Sequence, residues 1–435
     1  MIYRAHLVAA MMAALAVTTL ATTPTTPTTL GAKRPLTRLS ALEAQARQRT
    51  EMAGAKARLP LADPTTPFAA LEPEGSGRIP NYLRVFAVMP QGAAPFASLL
   101  RTFIFGGTVN PQTKLAMGLR ISQVNASPYV AVHLARLLRA MPDGADRLTA
   151  LRNSRETGLP VSDQLAIRYA ELLTRDIHGI SDRQFAATRQ HFNDSQMVEL
   201  TMVVSLFNYL TRFSEALHLP VEPWALDPQA SPAIPRFERS ELTQARIGLI
   251  SDEEMRAVVA ADAAAKDPAT RQTGLGLAIA NSQRAMMRVP DLQAAWRNYG
   301  TTVRTDSKIG REMQLHVSLA VSMANGCRYC TVHQIVGLRR QGVDPRKLLA
   351  MRKEDQALTP RELAAVRFAR QLTSGPASIT DADFAALRAE FGDYGALEVV
   401  LQTGAFSFMN RFTDNLRLPS EDEAIHVYKS VFGEP

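Results

Sequence analysis

The chain has little cysteine: two residues in 435, Cys327 and Cys330, three positions apart. Thiols that close on one stretch cannot tie distant parts of a fold together. A disulfide framework is therefore excluded, and the pair is either redox-active or metal-binding. Alternation of apolar and polar residues with period two is also lacking, which removes half-buried strands from the expected elements. Beyond the N-terminal segment no apolar run approaches the roughly 20 residues that a membrane-spanning helix requires. Nor is there a basic block interleaved with aromatics. The net charge of +8, from 49 Lys and Arg against 41 Asp and Glu, is read as scattered solvated arginine, and no nucleic-acid partner is expected.

What is present is the composition of an ordinary globular protein, 46% hydrophobic and 21% charged, long enough for two domains of roughly 150 to 200 residues. At the N-terminus Arg4 precedes an apolar run from Leu7 to Ala21, LVAAMMAALAVTTLA, followed by the proline-broken TTPTTPTTLGAKRP. That order is a signal peptide's. Residues 1–35 are expected to be a signal peptide and polar Thr/Pro-rich segment, and the protein to be exported, periplasmic or secreted, without roughly its first 21 residues.

The chain resembles itself. NASPYVAVH, from Asn125 to His133, aligns with NGCRYCTVH, from Asn325 to His333, at an offset of 200, which also sets Pro90 over Pro290. Downstream, ISDRQFAATRQHF from Ile180 matches ITDADFAALRAEF from Ile379, and RFSEALHLP from Arg212 matches RFTDNLRLP from Arg411, at an offset of 199. A single deletion reconciles the offsets, so the matches form one colinear series, the signature of a tandem duplication. Between the copies Pro220, Pro223, Pro228, Pro232 and Pro235 follow closely. We therefore expect a first copy over 36–220, a Pro-rich linker over 221–240 and a second copy over 241–435.

Within each copy the period is helical, as in LAIRYAELL from Leu165 and LAAVRFARQL from Leu363. Ser251 to Glu254, Thr359 to Glu362 and Ser181 to Gln184 have the spacing of capping boxes, and Pro360 suits a first helical position. The expected class is all-α, two bundles of five to seven helices each.

Asn325-Gly326 breaks the chain before CRYCTVHQIVGLRRQG, whose spacing predicts a helix ending at Gly342. Cys327 would then lie in a first turn, where unpaired N–H groups and the macrodipole favour a thiolate; Cys330 and His333 follow one and two turns on, with Arg328 adding positive charge. Two thiols and a base at a helix start are what disulfide formation and exchange require. A zinc site on Cys327, Cys330, His333 and a distant His316, and a passive local disulfide, are the competing readings.

NGCRYCTVH and its flanking helices, with Asn410-Arg411 later in the copy, resemble the AhpD-like or carboxymuconolactone decarboxylase-like superfamily, whose thiol members carry NGCxYC followed by His in an antiparallel helical bundle. The resemblance implies that Cys330 attacks a hydroperoxide or disulfide substrate, that Cys327 resolves the product and that His333 is the base, with an unknown reductant restoring the pair. No cofactor or metal is implied beyond the redox-active cysteines. Relatives form trimers or hexamers of single units, which implies a trimer-like homo-oligomer. The chain departs from the pattern in two places: Gln334 stands where the family's histidine usually falls, and Leu315 where its glutamate does, with Glu312 and His316 as neighbouring substitutes.

In the first copy Ser127 and Val130 occupy the cysteine positions while Tyr129 and His133 remain. That copy has lost the thiols, and His133 and Tyr129 are read as satisfied structural residues. The expected function is a thiol-disulfide oxidoreductase or alkylhydroperoxidase-like peroxidase. The rival readings are a cysteine-independent lyase of the decarboxylase branch, using paired His and Glu, and a non-enzymatic binding or scaffold protein.

Overall fold

Prolines and capping side chains start the helices where the local sequence asks for them. Asn110 accepts a hydrogen bond from Gln112 N (3.0 Å) ahead of Pro111, and Thr359 and Glu362 form a reciprocal capping box ahead of Pro360. Ser181 and Gln184 do the same. The computed structural model describes residues 35–51, 56–63, 78–153, 155–227, 280–352 and 357–433. The expected signal peptide up to residue 34, linker residues 228–240, the start of the second copy at 241–279 and the capping box at Ser251 lie outside the described residues.

Among the described residues there are helices and no strand. The first half comprises α1 (Leu39–Glu51), α2 (Asn81–Arg84), α3 (Ala93–Phe105), α4 (Pro111–Asn125), α5 (Pro128–Arg139), α6 (Gly144–Arg152), α7 (Val161–Arg175), α8 (Asp182–Arg189), α9 (Asp194–Ala216) and α10 (Pro223–Leu226). The second comprises α11 (Asn281–Met286), α12 (Pro290–Thr305), α13 (Gly310–Asn325), α14 (Arg328–Arg340), α15 (Pro345–Arg352), α16 (Pro360–Ser374), α17 (Asp381–Asn415) and α18 (Asp422–Phe432). Both halves hold more helices than the expected five to seven, because one-turn and two-turn pieces such as α2, α6 and α15 carry too few residues to show a period. No helix among the described residues is long and apolar enough to cross a membrane.

The order of helices recurs from one half to the other, and α17 bends at Gly392 (φ +64°), where α8 and α9 separate at Asn193 in the first half. Hydrogen bonds recur too. Glu199 receives Thr108 N (2.8 Å) and Val109 N (3.1 Å), and Glu398 receives Lys308 N (2.8 Å) and Ile309 N (3.1 Å). Buried Arg212 donates to Asn208 O (3.1 Å) and reaches across to Thr373 O (3.0 Å), while Arg411 donates to Ser407 O (3.1 Å) and reaches across to Thr174 O (3.3 Å). Each half thus satisfies a carbonyl at the end of a helix in the other.

The halves do not keep separate cores. Nearly every residue of α9 is buried, its polar side chains such as Glu199 and Arg212 included, and α9 lies along α17 while α3 lies along α12. Phe103, Trp296 and Phe408 meet between them, the last two stacked with centroids 3.9 Å apart. One contiguous apolar cluster runs from Leu39 to Phe412. The expected linker also begins inside the fold: Val221 and Glu222 are buried and α10 forms at Pro223, because proline is tolerated in a first helical turn.

Candidate active site

α13 ends at Asn325, and Gly326 closes it in the left-handed region (φ +73°). The first half makes the same turn with Ala126 (φ +52°), where a Cβ is strained. Cys327 is then extended and caps α14, its Sγ accepting a hydrogen bond from Cys330 N (3.4 Å). The helix starts one residue later than its spacing predicted, so Cys330, not Cys327, lies in the first turn, where the helix N-terminus favours negative charge.

Both thiols are free and buried. Thr413 Oγ1, from α17, lies 3.4 Å from Cys327 Sγ and 3.3 Å from Cys330 Sγ, and also 2.9 Å from Met409 O. A hydroxyl has one proton to give. With both thiols protonated it donates to Met409 O and accepts from sulfur; once a thiolate forms it can turn its proton to that sulfur. Burial pushes the Cys330 thiol up, but hydrogen bonds from Cys327, Thr413 and Asn410 and the charge on His333 outweigh it and hold Cys330 below its ordinary value. Burial, reinforced by Cys330, leaves Cys327 well above its own. Cys330 therefore ionises first.

His333, read from the sequence as a base, has both ring nitrogens in contact with neighbouring oxygens. Its Nδ1 lies 2.7 Å from Tyr329 O, one turn back, and its Nε2 2.6 Å from Glu421 Oε2, at the start of α18. With Glu421 ionised both partners are acceptors, and while the ring donates from both nitrogens it has no lone pair free for a thiol proton. Burial lowers its pKa, but the bonds to Glu421 and Tyr329 and the Glu421 charge outweigh that and raise it. His333 acts on Cys330 through its charge. Glu421 also receives Asn281 N (2.6 Å) and the Tyr329 hydroxyl (3.1 Å).

In the first half, His133 Nε2 lies 2.8 Å from Glu222 Oε2, and the Tyr129 hydroxyl donates to Glu222 Oε1 (2.9 Å). There Ser127 Oγ donates to Glu215 Oε1 (2.8 Å), and Arg49 of α1 pairs with the same carboxylate (2.8 Å). The His–Glu pair thus exists with and without thiols, whereas a hydroxyl shared by two sulfurs occurs only in the second half.

A cleft of roughly 450 Å³ opens beside the thiols, lined by Ile177 and His178 from the first half and by Arg328, Tyr329, Thr413 and Asp414 from the second. His178 Nδ1 pairs with Asp414 Oδ2 (2.6 Å). Ile177 packs with Cys327, Tyr329 and Cys330 in one buried cluster. The thiol-free half therefore supplies a wall of the site.

Of the other sequence-flagged residues, Asn410 bridges Asn325 (2.8 Å) and Ser322 (3.1 Å) beside the thiols, and Arg411 serves the contact between halves. Glu312 and His316 are not brought to the cysteines; they meet Lys347 of α15 and Glu362 of α16 on another face of α13. Sequence reasoning missed Thr413 and Glu421. For Glu421 the signal was present, since extending the RFSEALHLP and RFTDNLRLP match by two residues sets Glu222 over Glu421. Thr413 lies inside that match, opposite Ser214, a hydroxyl over a hydroxyl.

Residues 290–371 match the Carboxymuconolactone decarboxylase family, a segment that includes both thiols and His333 but neither Thr413 nor Glu421. No curated protein matches the chain. Among solved structures, a variant of the debrominase Bmp8 in complex with 2,3,4-tribromopyrrole is similar at 23% identity and a TM-score of 0.35, over 39% of this chain and 93% of that one. The apo form of Bmp8 is similar at 23% identity and a TM-score of 0.33, over 37% and 87%.

Proposed function

We propose, from the match of residues 290–371 to the Carboxymuconolactone decarboxylase family, that the protein is a thiol oxidoreductase in which Cys330 attacks a hydroperoxide or disulfide and Cys327 resolves the product. The observation that carries this reading is the placement of the thiols, Cys330 in the first turn of α14 and Cys327 capping it, with one hydroxyl within 3.4 Å of both sulfurs. With a hydroperoxide, the Cys330 thiolate attacks the distal oxygen and the O–O bond breaks. The alkoxide leaves and takes a proton, and Cys330 becomes a sulfenic acid. Cys327 then attacks that sulfur, its thiol proton leaves with the hydroxyl as water, and a disulfide remains. With a disulfide substrate the same two attacks pass through a mixed disulfide. In both cases an external dithiol reduces the pair. Consumption of a hydroperoxide or an aromatic disulfide, with wild type against Cys330→Ser, tests the proposal; equal rates would overturn it.

The recurrence of side-chain hydrogen bonds at offsets of 200 and 199 supports reading the chain as a tandem duplication whose first copy has become a structural partner of the second. Export by the N-terminal segment belongs to the same proposal, and N-terminal sequencing of the mature protein tests it.

One observation favours a second reading. His333 and Glu421 form a part-buried pair that does not involve the thiols, and a cysteine-independent lyase of the decarboxylase branch would use paired His and Glu. Activity that survives blockade of both thiols would select it.

A further inference from the structure

We propose that Glu312, His316 and Glu362 form a binding site for a divalent transition-metal ion, separate from the thiols. One ligand atom from each lies within 4.8 Å of the others. The independent observation is His316: its side chain is wholly buried and neither ring nitrogen has a hydrogen-bond partner. Buried polar atoms are rarely left so, because losing water without replacement costs free energy. Its Nδ1 points at Glu362 Oε1 from 3.6 Å, beyond hydrogen-bond reach.

The carboxylates are set for the same point. Glu362 Oε2 is committed to the helix cap through Thr359 N (2.8 Å) and Thr359 Oγ1 (3.1 Å), which leaves Oε1 to face His316. Lys347 Nζ already sits between the acids, 2.5 Å from Glu362 Oε1 and 3.4 Å from Glu312 Oε1, so the position holds a cation. The lysine side chain is 23% exposed and can withdraw into solvent, and Glu312, 45% exposed, can turn inward. One imidazole and two carboxylates suit zinc, manganese or iron, with water completing the shell. Ligand bonds of about 2.0–2.2 Å require the three atoms to close up by roughly an ångström.

The test is titration of the chelator-treated full chain with Zn²⁺ alone, against a chromophoric competitor. It is run on wild type and on the Cys327→Ser/Cys330→Ser double variant. One equivalent is expected in both. Glu312→Gln and His316→Gln should each weaken binding about tenfold or more, and Lys347→Met should tighten it about tenfold by removing the competing ammonium. Circular dichroism checks the fold of His316→Gln, and Glu312→Gln changes a half-exposed side chain that the core does not need. The proposal is overturned if no equivalent binds, if binding disappears in the double cysteine variant, or if Glu312→Gln and Lys347→Met both leave the affinity unchanged.

Discussion

His333 and Glu421 meet nitrogen to oxygen at 2.6 Å, and this contact favours the charged form of the histidine beside Cys330. Removing the charge in His333→Ala therefore raises the Cys330 pKa. Each unit of that rise lowers the thiolate fraction about tenfold below the pKa. Alkylation of Cys330 by iodoacetamide should slow near neutral pH and recover as the pH rises, with its midpoint moved to the alkaline side. An unshifted midpoint would show that the histidine does not act through its charge.

Thr413→Val keeps the shape of the side chain and removes the hydroxyl shared by both sulfurs. Cys330 loses one of the bonds that hold its pKa down, so its reaction with peroxide should slow about tenfold. Thr413→Ser, which restores the hydroxyl, should recover most of the rate. Equal rates for the valine and serine variants would count against the assignment.

Cys327→Ser should allow one attack and no resolution, leaving Cys330 as a sulfenic acid or mixed disulfide. Intact-mass measurement after one equivalent of peroxide should show one added oxygen or its dimedone adduct. Cys330→Ser should show neither.

The same ion pair makes stability depend on pH. The Glu421 pKa is lowered, since the bonds to His333 and Asn281 outweigh burial. Its contribution is complete above the ordinary carboxylate range and lost as the pH falls through the depressed value. The His333 pKa is raised, so its contribution is complete below the ordinary imidazole value and lost as the pH climbs through the raised one. The difference in melting temperature between wild type and Glu421→Gln should be largest between those limits and shrink on both sides. In the first half, His133→Ala takes from buried Glu222 one of its hydrogen-bond partners and leaves the Tyr129 hydroxyl, at a cost of about 1–3 kcal/mol, while Cys330 reactivity stays as in wild type.

Gly404 lets α17 approach α9. A Cβ there would meet the Tyr209 ring at 2.2 Å, and that ring is buried and held by Tyr299 at 2.5 Å between hydroxyls. Alanine gains about 1 kcal/mol of helix propensity, but the ring has nowhere to go and overpacking costs about 1–3 kcal/mol. Gly404→Ala should therefore unfold at lower denaturant concentration than wild type.

Helical period, capping boxes, the NG turn and the spacing of Cys327, Cys330 and His333 are local properties, set within one or two turns of chain, and the sequence alone determined them. Its colinear matches also foretold which residues would play parallel parts, such as His133 and His333. Only the tertiary structure decided what those residues touch. Thr413 reaches the sulfurs from 83 and 86 positions away, Glu421 reaches His333 from 88, and Ile177 comes from the other half. Such contacts arise from packing helices far apart in the chain against one another, which no local pattern encodes. The surroundings of His333 were decided the same way: spacing put a ring near a thiol, and the fold set an oxygen against each of its nitrogens.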